Sequence, residues 1–272
     1  MLQNRLKIEL DGKSEYQELL FQRGFLITDF ALSNLEDYPF YGNWFCKTLG
    51  GYNFVINKNV SLYYKEHNGT YDNYLSYIDI PDDIVQKHER GIISAPNYSD
   101  IIRFALLSMY GGVWLDATIY LTKDIVSTML EKEFYTVKFY EENKPIRDAS
   151  RGKWTGFFCA AYKGSILACF VYDSLICYWK KHDLAIDYLA VDYVIWAGYA
   201  KVLKIKKIID DVPNNNETFD LLNQMFEKAA TKESIELLIH SNGFYKINRH
   251  RNYKKETDDG QQTIYSYIVE HN

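Results

Sequence analysis

The chain has 272 residues, 47% of them hydrophobic and 25% charged, with a formal net charge of −5 at pH 7. That length can bury a full core, and the balance is ordinary for a globular protein. The acidic balance argues against nucleic acid as the main partner, which would leave a basic footprint over the domain.

Aromatic residues are abundant: 24 Tyr, 15 Phe and 5 Trp. Flat rings suit the C–H faces of sugars, although core packing accounts for most rings in any globular chain. Composition therefore tilts the reading toward carbohydrate only slightly. Cys46, Cys159, Cys169 and Cys177 form no CxxC pair and read as reduced, buried thiols of a cytoplasmic protein. The N-terminal stretch has no uninterrupted apolar segment, and no run approaches the roughly 20 apolar residues that span a bilayer. A membrane-bound substrate would be reached by peripheral contact.

In chain order, Gly24–Phe30 and Tyr52–Ile56 read as short strands. Leu75–Ile80 is strand-like, and after Pro81 the pair Asp82-Asp83 starts a short helix. Ser99 then reads as an N-cap with Asp100 in the first turn, where the helix dipole favours a carboxylate. Ile101 through Met109 is apolar on most sides, as in a buried helix. Gly111 ends it, and Val113-Trp114-Leu115 is a short buried strand with Asp116 at its carboxyl end.

Further on, Phe134–Phe139 and Gly156–Ala161 read as strands. Ser165–Lys181, Tyr188–Val202 and Thr218–Ala229 read as helices, and Thr231–Ile239 is a helix opened by a capping Thr. Phe244–Asn248 and Thr263–Val269 read as strands, with Asp258-Asp259-Gly260 as a hairpin-type turn. The alternation favours one α/β domain over residues 1–272: a sheet flanked by helices on both faces, with a helical C-terminal elaboration.

Chemistry concentrates in Ser99-Asp100-Ile101-Ile102-Arg103 and Tyr110-Gly111-Gly112-Val113-Trp114-Leu115-Asp116-Ala117-Thr118. Asp100 and Arg103, three apart, share a helix face in a strongly apolar segment, where charge is costly unless paired or used. A carboxylate accepts from sugar hydroxyls, and a guanidinium donates to hydroxyl or phosphate oxygens. The double glycine turns the chain and permits close backbone approach, delivering Asp116 to the strand end where open α/β sheets bind ligands. Taken singly, each residue has a structural explanation: a bridge, a helix stop, a turn. The whole string in this order favours a site.

This string resembles the core motif of the capsular polysaccharide synthesis glycosyltransferases, related to the DXD-containing GT-A sugar transferases that include the clostridial toxin glucosyltransferase group. The resemblance is strongest over residues 74–124, and residues 1–70 do not match the usual family opening. It implies a GT-A-like nucleotide-sugar-binding sheet. It also implies transfer of a sugar from a nucleoside-diphosphate sugar, such as a UDP-sugar, to a glycan or lipid-linked glycan, with retained configuration. Carried over, Asp100, Arg103 and Asp116 are the catalytic set, and Ser99, Gly111, Gly112, Asp116 and Thr118 contact the donor. Asp116 is then the ligand for Mn²⁺ or Mg²⁺, while Thr118 replaces the second Asp of the DXD motif, which weakens the metal case.

Outside the motif, Lys246, Arg249, His250 and Arg251 offer diphosphate contacts or a solvated basic surface. Asp187 reads as an N-cap. Asp192, among apolar residues inside a helix, is the candidate to face the acceptor, and Trp154 reads as a core or rim ring before a sugar platform. The competing function is a non-catalytic carbohydrate- or nucleotide-binding module on the same fold. A nucleotidyltransferase ranks last for want of a Gly-rich phosphate loop, and no carboxylate pair suggests a glycoside hydrolase.

Overall fold

A computed structural model describes residues 42–48, 51–55, 78–116, 119–121, 132–138, 149–215, 224–240, 244–246 and 251–270. Along the chain the strands are β1 (Gly42–Thr48), β2 (Gly51–Val55), β3 (Gly112–Asp116), β4 (Ile119–Leu121), β5 (Phe134–Thr136), β6 (Phe158–Ala161) and β7 (Phe244–Lys246). The helices are α1 (Asp82–Glu89), α2 (Ala95–Tyr110), α3 (Ile166–Lys181), α4 (Ala190–Lys201), α5 (Leu203–Asp210), α6 (Lys232–His240) and α7 (Ile264–Glu270). They group into two compact units, one carrying β1–β3, β5, β6 and α1–α5, the other β4, β7, α6 and α7.

The first unit is built on a five-stranded sheet of order β2-β1-β3-β6-β5. Every pairing in it is antiparallel. The architecture is α/β overall, but the rule that ligands sit at the carboxyl edge presumes parallel strands. Here the carboxyl end of β3 lies beside the start of β1, with Asp116 opposite Gly42. Trp114, Phe134, Cys159 and Ala161 lie on one sheet face and join the core formed by α1–α5. The alternate residues Val113, Leu115, Phe158 and Ala160 are buried too, so β3 and β6 are covered on both faces. Among the described residues, the helical layer expected on both faces packs against one.

Helix α2 corrects the sequence reading of its start. Ser94, not Ser99, is the N-cap, accepting from the Asn97 amide, and Pro96 sits in the first turn where its missing N–H does no harm. Ser99 and Asp100 therefore lie inside the helix and are buried, beyond the dipole's favourable first turn. Gly111 ends α2 as expected, with φ 71°. A β-carbon there would lie 2.4 Å from the Lys163 amide nitrogen, so both conformation and close backbone packing demand glycine.

The ends of β2, β3, β5, β6 and β7, and of α3, α4 and α6, fall within a few residues of the expected bounds, and the Ser234 amide bonds the capping hydroxyl of Thr231. The sequence reading does not anticipate β1, β4 and α5, and residues 78–80 of the expected strand are irregular. Gly24–Phe30 lies outside the described residues, as do residues 75–77. Of Thr218–Ala229 only a 3₁₀ turn, Gln224–Glu227, is described as helical.

In the second unit β4 pairs antiparallel with β7. Met225, Phe226, Leu238, Tyr245, Ile264 and Ile268 form its core. The expected turn at 258–260 is present: the Gly260 amide bonds the Thr257 carbonyl, and Glu256 bridges Gln262. After the turn the chain forms a helix in place of the expected strand. Thr263 caps α7 by accepting from the Ser266 amide, and Ile264 and Ile268, four apart, face the core together. Packing on Phe226 overrides the β-branched, aromatic character of the segment.

Candidate functional site

The site is produced by the turn at Gly111. From Arg103 to that turn α2 rises about 12 Å, and the four steps of β3 return about 13 Å. Asp116 is thus delivered back alongside Arg103. Arg103 Nη1 donates to Asp100 Oδ1 at 2.6 Å, and its Nη2 donates to Asp116 Oδ1 at 3.1 Å. Trp114, two residues before Asp116 on the same strand face, donates its indole N–H to the same Asp116 oxygen at 3.0 Å. Its ring also underlies the guanidinium, 5.1 Å from centroid to Cζ.

The segment entering β6 closes the other side. The Asp116 amide donates to the Phe157 carbonyl at 2.8 Å, extending the β3–β6 ladder by one step. Gly156 meets the guanidinium so closely that a β-carbon there would lie 2.8 Å from Arg103 Nη1. Thr155 is held through its amide by the Thr136 hydroxyl at 2.9 Å. Trp154 donates its indole N–H to Asp192 Oδ1 at 2.9 Å, which draws α4 into the cluster.

Burial sets the electrostatics. By side chain, Arg103 is 7% exposed, Asp100 11% and Asp116 18%. Desolvation pushes the Asp100 carboxyl up to about 6, with Asp116 adding to the rise and Arg103 opposing it. Burial works to depress Arg103, but Asp100 and Asp116 outweigh it and hold its pKa above the ordinary value. Asp100 and Asp116 bond this guanidinium directly, and the Asp192 carboxylate adds a smaller electrostatic contribution. The buried Arg103 Nε–H finds no acceptor among the described residues. The Cys159 thiol beside it is pushed up to about 12 by burial and is not poised as a nucleophile.

The structure brings Asp100, Arg103 and Asp116 together and places Asp192 on the far side of Trp154. Ser99 is buried in α2, and Gly111 and Gly112 are buried at its junction with β3. Thr118, Arg249 and His250 lie outside the described residues. Lys246 is on β7 in the second unit, and Arg251 pairs with Glu227 there. Trp154, 1% exposed, is a core ring and not an open sugar platform. Asp187 accepts from the Leu189 amide at 3.0 Å, just ahead of α4. Among the cysteines, the expectation of buried thiols holds for Cys159, while Cys177 is exposed.

Sequence reasoning missed Trp114 and Gly156 as parts of the cluster. The first was detectable from its i, i+2 spacing to Asp116 on a strand. Gly156 carries no local signal, because its partner lies far away in the chain. Among the described residues no group of three or more His, Cys, Asp or Glu is arranged to hold a metal ion, and no helix is long and apolar enough to cross a membrane.

An α/β protein with a buried acid–guanidinium cluster, one carboxylate of which is partly exposed at a strand end, is the class these features define. The profile of the capsular polysaccharide synthesis protein family matches residues 57–268, and the chain belongs to that family. No curated protein and no solved structure matches it.

Proposed function

We propose that the chain is a glycosyltransferase of capsule biosynthesis, moving a sugar from a nucleoside-diphosphate sugar such as a UDP-sugar to a glycan or lipid-linked glycan, in the cytoplasm. The observation that carries the reading is the bridged Asp100–Arg103–Asp116 set, whose one partly exposed member stands at the end of β3. The unsatisfied Arg103 Nε–H adds support: a buried donor without an acceptor costs about 1–3 kcal/mol, and a donor hydroxyl, phosphate oxygen or water would relieve it. In this reading Asp116 takes a hydroxyl of the donor, with Asp100 and Arg103 fixing its direction, and Asp192 flanks the acceptor. The GT-A relationship and retained configuration belong to the same proposal.

Leaving-group chemistry requires the departing diphosphate to be neutralised. A Mn²⁺ or Mg²⁺ ion would supply that charge, yet the described residues offer it one partly exposed carboxylate, already engaged by two N–H donors. Such a set does not make a protein-built metal site.

The closure of the cluster also favours a second reading, a binding module without turnover, because both guanidinium ends are already occupied by carboxylates. A screen of activated sugars, reading released nucleoside diphosphate, separates the two. Asp116→Asn, which keeps the side chain's size, is expected to abolish release while the thermal melt shifts little. Binding of UDP with no release from any donor would support the module instead.

A further inference from the structure

Five of the nine large hydrophobic side chains exposed among the described residues fall within ten positions: Leu184, Ile186, Tyr188, Leu189 and Tyr193. Four of them occupy the connection from α3 into α4, and Tyr193 follows in the first turn of α4. Leu184 is 81% exposed, Ile186 62% and Tyr188 61%, so these are outward-facing side chains, not rim residues. Apolar clusters of this kind on a protein surface mark contact sites.

The connection is pinned as well as exposed. Lys87 Nζ donates to the Trp179 carbonyl at 2.5 Å and the His182 carbonyl at 3.2 Å, and pairs with Asp183 at 2.7 Å. The Tyr178 hydroxyl donates to the Leu184 carbonyl at 2.6 Å, and Asp187 holds the Leu189 amide. Bonds to backbone at both ends keep the segment from folding its leucine and isoleucine inward.

Lysines slightly outnumber carboxylates around it: Lys87, Lys180 and Lys181 against Asp183 and Asp187. Lys180 and Lys181 end α3 exposed, directly before the apolar residues. Of the two carboxylates in the segment, Asp183 is matched by Lys87 and Asp187 is turned to its own backbone. Aliphatic and tyrosine side chains bordered by lysines are the composition that seats at a lipid headgroup boundary.

We propose that this α3–α4 connection docks the chain onto an anionic lipid surface. The first turn of α4 carries Asp192 to Trp154, so docking there would hold the acceptor flank of the cluster near the lipid. That last consequence rests on the glycosyltransferase reading; the docking itself does not.

The test is co-sedimentation of the full chain with phosphatidylcholine vesicles with and without phosphatidylglycerol. Sedimentation is expected with phosphatidylglycerol, weakening as salt rises. The combined Leu184→Ser, Ile186→Ser, Tyr188→Ser variant should stay in the supernatant. Lys180→Glu with Lys181→Glu should lower vesicle affinity by roughly tenfold or more. All five side chains are exposed, so near-native melts are expected and serve as the folding control.

Wild-type chain that ignores phosphatidylglycerol vesicles overturns the proposal, as does undiminished binding by the triple serine variant. So does a lipid-free dimer that the serine changes convert to monomer. Donor turnover measured without vesicles should be unchanged in the serine variant. Absence of turnover in the wild type would count against sugar transfer and leave the vesicle result standing.

Discussion

The buried cluster of the first unit and the exposed ion pairs of the second handle charge in opposite ways. In the first, Arg103 lies beneath Asp100 and Asp116, against Trp114 and Gly156, with almost no access to water. In the second, Arg251 pairs with Glu227, and Lys254 with Asp258, in the open. Exposed pairs form almost anywhere with little consequence, since water serves each partner nearly as well. A buried pair must overcome desolvation, and a well-packed apolar substitute is often as stable. The difference teaches where to look for function: the costly arrangement is the one that asks for a reason beyond stability.

The largest expected effect comes from Arg103→Ala. It strands two carboxylates next to the space the guanidinium filled, and breaking a buried pair from one side costs about 3–5 kcal/mol. Urea denaturation of the variant checks this. A loss under about 1 kcal/mol would mean that water already serves the cluster and that the contrast between the units is false.

Asp100→Asn comes next and tests burial through pH. The folded-state pKa of Asp100, about 6, lies above the roughly 3.9 of an unfolded Asp. The folded chain keeps this proton where the unfolded chain has released it, so the group's contribution is full below about pH 4 and is lost as pH rises through 6. Wild-type stability relative to Asp100→Asn should therefore fall by on the order of 2 kcal/mol between pH 4 and pH 7. Parallel curves for the two proteins would show that Asp100 is solvated.

Gly156→Ala should cost less, about 1–2 kcal/mol, since the clashing atom ends a side chain and not a backbone. Its sharper signature is local: the displaced guanidinium should weaken its bond to Asp100 and reduce any donor turnover more than it reduces stability. Equal turnover in the variant and wild type would separate Gly156 from the site.

Parts of this arrangement were legible in the sequence. The i, i+3 spacing of Asp100 and Arg103 fixes a shared helix face wherever the helix begins. For that reason the pair is found correctly even though the helix starts after Ser94 instead of Ser99. The arrival of Asp116 rests on a glycine stop and matched rises of helix and strand. The antiparallel pairing of β3 with β1 and β6 was not legible, because alternating strands and helices suggest parallel crossovers unless the partners are known. Nor was α7, whose isoleucines suit a strand until Phe226 and Tyr245 are beside them.

The smallest expected effect belongs to Arg251→Ala, and it probes the exposed side of the comparison. Arg251 bonds Glu227, lies over the Tyr253 ring at 5.2 Å, and keeps 47% of its side chain in water. Its hydrogen bond to Glu227 is the main cause that holds that carboxyl below its ordinary value. On that exposed surface the pair should contribute less than about 1 kcal/mol, and added salt should shrink the difference between wild type and variant further. Melting the two proteins at low and high ionic strength measures both. A loss of several kcal/mol that persists in high salt would place Arg251 in the same category as Arg103, and burial would then no longer distinguish the cluster at the end of β3 from the ion pairs of the second unit.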